Sequence, residues 1–184
     1  MEPSGLAWVQ RFPGSVSLDD LVPEFRDKAN AFVRALRAGG AKVRITATYR
    51  PPERAWLMYW CSRIAKKKFD PAKVPHVKGI AIDWQHTVHG APDPAASRNA
   101  ALQMQNAYNI QYPPALVSRH TQRRAIDMTI GWNSHLCIED ANGKTHMIVT
   151  RPYTGQNYKL IEVAKTFGVI KLFKDPPLWS DEGR

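Results

Sequence analysis

Ser118-Arg119-His120-Thr121-Gln122-Arg123-Arg124-Ala125-Ile126-Asp127 sets a histidine and a carboxylate seven positions apart across a predicted turn. From Ala125 to Ile130 the chain alternates as a strand does, with Ala125, Asp127 and Thr129 on one face and Ile126, Met128 and Ile130 on the other. Asp127 therefore stands on a rigid ladder, while His120 belongs to the loop before it. A bend near Arg123 and Arg124 is expected to return the imidazole to the carboxylate, giving two ligands of a metal site.

Working outward, Leu136–Asp140 and Lys144–Thr150 bracket Asp140-Ala141-Asn142-Gly143, a hairpin signal. Leu160, Ile161, Ala164 and Phe167 then recur at helical spacing between Asn157 and Gly168, and Val169–Phe173 reads as a short strand leading to Asp175. Upstream, a helix is expected from Ser17, or from Pro23, to about Arg37, with Phe25, Ala29, Phe32, Val33 and Leu36 on one stripe and Gly39-Gly40 ending it. Lys42–Thr48 alternates as a half-buried strand, and Pro51-Pro52 opens a helix over Glu53 to about Lys66. Prolines 71, 75, 92 and 94 and the lack of helical period make residues 69–93 a long loop. Pro94 to about Tyr108 has helical composition. Helices and strands in this order predict an α+β domain, helices packed on a small, mainly antiparallel sheet, with residues 1–184 as a single unit and 69–93 as an insertion.

The pattern Ser118-x-His120, then Ala125-Ile126-Asp127, resembles the zinc-binding signature of the peptidoglycan peptidases related to D-Ala-D-Ala carboxypeptidase, VanY and the phage L-alanyl-D-glutamate endopeptidases. That signature is Ser-x-His-x-x-Gly-x-Ala-x-Asp, and a later Asp/Glu-x-x-His supplies the general base and the third ligand. Here the later element is Asp175-Pro176-Pro177-Leu178-Trp179. The resemblance extends to Thr48-Tyr49-Arg50-Pro51-Pro52, similar to the family's strand ending in Tyr-Arg-Ser/Thr-Pro, and spans about Val16 to Trp179.

The resemblance implies a Hedgehog/DD-peptidase-like fold and a zinc-dependent hydrolase acting on peptidoglycan stem peptides, with His120 and Asp127 as zinc ligands and Asp175 as the general base. It also implies that Arg50 binds a peptide carboxylate, which a guanidinium fork can do bidentately. The plain alternative for Arg50 is a structural salt bridge. Ser118 is expected to orient substrate or a ligand, and Tyr49 and Trp179 to wall the cleft. An L-alanyl-D-glutamate endopeptidase is the first reading and a D-Ala-D-Ala carboxypeptidase the second.

Two positions depart from the pattern. Arg123 stands where the family has glycine, which matters only if the backbone angle there is positive. Leu178 stands where it has the third histidine, and an isobutyl group has no lone pair to donate. A substituted histidine, a degenerate member and a misaligned motif are the three accounts of Leu178. The first is preferred, because Asp175-Pro176-Pro177 and Trp179 are otherwise intact. A competing His-to-Asp spacing, His76-Val77-Lys78-Gly79-Ile80-Ala81-Ile82-Asp83, lacks the leading serine, and His76, His86 and His89 are read as loop histidines.

A formal net charge of +10 suits a polyanionic partner, a bacterial wall with acidic polymers among them, and equally suits a solvated surface. No nucleic-acid-binding motif accompanies the charge. A non-catalytic wall-binding module that keeps the site is therefore the rival class. Cys61 and Cys137 make no metal or disulfide pattern and are read as two buried free thiols. The first residues lack a signal peptide's basic and apolar regions, and no stretch is long enough to span a membrane. The expectation is a monomer made in the cytoplasm and brought to the wall by a holin or a secretion machine.

Overall fold

A computed structural model describes residues 1–184. In chain order the elements are β1 (Glu2–Pro3), α1 (Pro23–Ala38), β2 (Lys42–Ala47), α2 (Pro52–Ala65), β3 (Ile82–Asp83), β4 (Thr87–Val88), β5 (Ala91–Pro92), α3 (Pro94–Ala107), β6 (Ala125–Gly131), β7 (Leu136–Glu139), β8 (Thr145–Ile148), α4 (Tyr158–Thr166), β9 (Ile170–Lys171) and β10 (Leu178–Ser180). The fold is α+β, with four helices and small, mainly antiparallel sheets. No helix is long and apolar enough to cross a membrane.

The chain divides into two compact units, one of Met1–Pro13 with Pro51–Ser118 and the other of Gly14–Arg50 with Arg119–Arg184. Residues 69–93, expected as an insertion, lie within the first of these units. In the first unit α2 and α3 bury Leu57, Cys61, Ile64, Ala101 and Met104 in a core of their own. Residues of the long loop complete it: Val74, Ile80, Ile82 and Trp84 are all buried there. Ile80-Ala81-Ile82-Asp83-Trp84 alternates inward and outward, a strand-like pattern short enough to pass for loop. β1 pairs in parallel with β3, and Ser4 bonds the His86 ring at 3.0 Å, so the segment is fastened by the first residues of the chain. Asp93 caps α3 by accepting from the amides of Ala95 and Ala96.

The second unit is built on a four-stranded sheet of order β2-β6-β10-β9, with every adjacent pair antiparallel. One face carries Ile126, Met128 and Ile130 of β6 and Trp179 of β10 into a core shared with Phe25, Phe32 and Leu36 of α1 and Leu160, Ile161 and Ala164 of α4. Each such large side chain, fully buried, contributes roughly 1.5–3 kcal/mol, which is what holds both helices on the sheet. α1 begins at Pro23, the later of the two possible starts, because Ser17 instead caps a short 3-10 turn at Leu18–Asp20. It stops at Gly39-Gly40, where Gly40 takes φ +92°. The β7–β8 hairpin forms where Asp140–Gly143 predicts a turn, its Asp140 carboxylate accepting from the amides of Asn142 and Lys144. Leu178–Ser180 is a strand that the sequence reading did not foresee. Its apolar and polar residues are all buried, so no alternation marks it.

Candidate functional site

β6 turns Asp127 to the face of the sheet opposite the core, because the neighbouring Ile126 and Met128 take the inward positions. His120 lies in the tight turn before β6, which is closed by the Arg123 amide donating to the His120 carbonyl at 3.2 Å and the Arg124 amide donating to Arg119 at 2.8 Å. Its imidazole is buried, with Nδ1 2.8 Å from the Thr48 carbonyl at the end of β2 and Nε2 3.1 Å from Asp127 Oδ1. A carbonyl can only accept, so Nδ1 donates to Thr48, and Nε2 is the ring nitrogen that faces Asp127. This is the arrangement in which a metal-binding histidine is held by a hydrogen bond on its other nitrogen. The convergence expected for His120 and Asp127 is present, whereas His76 and Asp83 form no ion pair. His76 and His89 are exposed, and His86 is occupied by Ser4.

The turn is anchored from outside by arginines. Arg119 pairs with Asp181 at 3.4 Å and with Glu182, and Arg124 with Asp181 at 3.1 Å, which ties the loop before β6 to the segment after β10. Arg123 has φ +60°, in the left-handed region, so the condition under which a residue other than glycine matters at this turn is met. Its guanidinium lies over the Tyr49 ring at 4.2 Å from the centroid. Tyr49 is accordingly half-buried beneath an arginine, and its backbone carbonyl accepts from Ser15. Trp179 corrects an expectation: it is fully buried in the core against Phe32, with centroids 5.6 Å apart, and walls no cleft. Strand alternation is the reason, since Trp179 faces Ile126 while Leu178 faces Asp127. Ser118 closes the first unit, two residues ahead of His120. Cys137 is exposed, on the outward side of β7, so only Cys61 is a buried thiol, and burial pushes its pKa up to about 12.

Leu178 pairs directly with Asp127 across β10 and β6. Asp175 sits in the loop before β10, where its carbonyl accepts from the Leu178 amide at 3.0 Å. Its carboxyl pKa is raised, first by burial and then by the charge of Asp127, against the opposing pull of Lys171, His120 and Arg50. Arg50 thus acts electrostatically on Asp175, and its amide donates to the His120 carbonyl at 3.2 Å. The residue that sequence reasoning missed is Lys171. It is buried at the end of β9, and its pKa is lowered to about 8, chiefly by burial.

Zinc requires three protein ligands in an open catalytic site. His120 and Asp127 meet that requirement in part, and Leu178 does not, so a three-ligand zinc site does not fit this chain. No group of three or more His, Cys, Asp or Glu side chains is placed to hold a metal ion. Comparison with protein-family models and with characterised proteins finds no match to the chain.

Proposed function

We propose that this chain is a peptidoglycan stem-peptide hydrolase of the zinc-peptidase type, of L-alanyl-D-glutamate endopeptidase specificity, with hydrolysis impaired or abolished by Leu178. The observation that carries the reading is the placement of His120 Nε2 3.1 Å from Asp127 Oδ1, with position 178 directly across from Asp127. Asp127 and position 178 share one face of the sheet, and the His120 ring reaches that face from the turn before β6, which supports the reading beyond the sequence spacing alone. Zinc at a completed site would polarise the scissile carbonyl and activate water. The residues present serve the other tasks. Arg50 binds a substrate carboxylate beside the site, and Asp175, whose pKa is raised from the ordinary carboxylate value, is suited to take and return a proton. The basic surface favours an acidic wall.

The test is mass analysis of the soluble products released from purified peptidoglycan by the chain and by Leu178→His. Cleavage between L-alanine and D-glutamate by the histidine variant supports the endopeptidase, and loss of terminal D-alanine alone would make it a carboxypeptidase. Products from neither chain would overturn the hydrolase reading. Leu178 itself favours a second reading, a wall-binding module without catalysis. In that case the chain sediments with insoluble peptidoglycan, and Arg50→Ala weakens the association.

A further inference from the structure

Lys171 ends β9 and is only 3% exposed. Its ammonium donates to the carbonyls of Leu172 at 3.0 Å, Asp175 at 2.9 Å and Leu178 at 3.1 Å. An ammonium has three protons, and all three acceptors lie between Leu172 and Leu178, in the loop after β9 and the first residue of β10. That loop carries Asp175 and ends at Leu178. The ammonium also lies over the Trp179 ring, 5.2 Å from its centroid, where the ring face favours a cation. Each of the three carbonyls also accepts a backbone amide, Leu172 from Asp175, Asp175 from Leu178 and Leu178 from Leu172, so the ammonium adds a second, charged donor to all three and ties the turns together. It also sets a positive charge beside Asp127 and Asp175, both of which act on it.

We propose that Lys171 is a positioning residue for the candidate site: its ammonium holds the 172–178 loop in one shape and so keeps Asp175 and position 178 in place against Asp127. The Leu178 and Asp175 amides, which donate to Asp175 and Leu172 respectively, report the shape of that loop. Amide hydrogen exchange of the full chain, followed by NMR, is to be compared with Lys171→Met. The variant is expected to exchange at Asp175 and Leu178 at least about tenfold faster, the factor that lost hydrogen bonds to a charged group bring to a local opening. Amides of β6 are expected to keep their protection, and Lys171→Arg to restore the loop only in part. Unchanged exchange at Asp175 and Leu178 would overturn the proposal.

Should Lys171→Met fail to fold, the unaltered chain supplies the answer through the Lys171 side-chain nitrogen. A slowly exchanging ammonium signal supports the clamp, and exchange as fast as that of surface lysines refutes it. The consequence for metal rests on the function proposed above. In a Leu178→His background, Lys171→Met is expected to weaken zinc binding by about 10- to 100-fold, as loss of an outer support does. If Leu178→His binds no zinc while the exchange result holds, the peptidase reading fails and the positioning role stands. If zinc binds equally tightly with and without Lys171 and exchange is unchanged, the positioning role fails instead.

Discussion

Leu178 and Asp127 are direct partners in the antiparallel pairing of β10 with β6, so their side chains leave the same face of the sheet. Cβ atoms of such partners lie about 4.5–5.5 Å apart, a spacing at which an imidazole at 178 and the Asp127 carboxylate can share one ion. His120 reaches the same carboxylate from the turn before β6. On the function proposed above, position 178 is therefore where a single side chain would complete a three-ligand site.

Leu178→His is expected to bind one zinc ion per chain, while the unaltered chain binds little. Without metal the variant should be less stable, because a buried leucine gives way to a polar ring that lacks a partner. Zinc at about 100 times its Kd should then restore about 2.7 kcal/mol. Thermal unfolding with and without a chelator measures both effects. Adding Asp175→Asn should remove peptidoglycan hydrolysis and leave zinc stoichiometry intact, as measured by metal analysis. A Leu178→His chain with no zinc-dependent shift would count against the ligand assignment.

Arg123→Gly is expected to stabilise the chain by up to about 1 kcal/mol, because a residue with a Cβ at φ +60° is strained where glycine is not. Loss of the stack on Tyr49 offsets part of the gain. Arg123→Ala keeps the strain and loses the stack, so it should destabilise. Urea unfolding of the three proteins gives the order, and a glycine variant less stable than the alanine variant would contradict the account of the turn.

Asp175 has a raised pKa, so ionising it opposes folding. The folded state holds this proton more tightly than the unfolded state, and the contribution to stability present below the ordinary carboxylate pKa is lost as pH rises through the higher folded value. Asp175→Asn should therefore raise the melting temperature at pH 7, and the difference should fade as pH falls below the ordinary range. A melting temperature at pH 7 that is lowered by the substitution would show the carboxylate to be a net stabiliser.

Arg50→Ala, placed in the Leu178→His background, is expected to raise KM for stem peptide far more than it lowers kcat, the mark of lost binding common to substrate and transition state. Since Arg50 draws the Asp175 pKa down, its removal should also move the pH-rate profile to higher pH. Steady-state kinetics across pH separates the two effects. An unchanged KM would return Arg50 to a structural role.

Much of the fold was legible because periodicity reports burial one element at a time. The stripe of Phe25, Ala29, Phe32, Val33 and Leu36 and the alternation along β6 each depend on a few neighbouring residues, and the structure buries the side chains they mark. The hairpin at Asp140–Gly143 was legible for the same reason: a turn's chemistry is local. The meeting of His120 and Asp127 was also readable, since seven residues of turn and strand leave few ways to arrange them. Tertiary structure alone decided the rest. Ile80, Ile82 and Trp84 look like loop until α2 and α3 present a core for them to complete. Leu178–Ser180 becomes a strand only because β6 and β9 lie on either side of it, and that placement sends Trp179 into the core and Leu178 to Asp127. Lys171, in an apolar stretch, reads as one more surface cation until the chain folds carbonyls 172, 175 and 178 around its ammonium. Local pattern determines which face of an element is buried; what each face meets depends on partners distant in sequence, which no single window of residues contains.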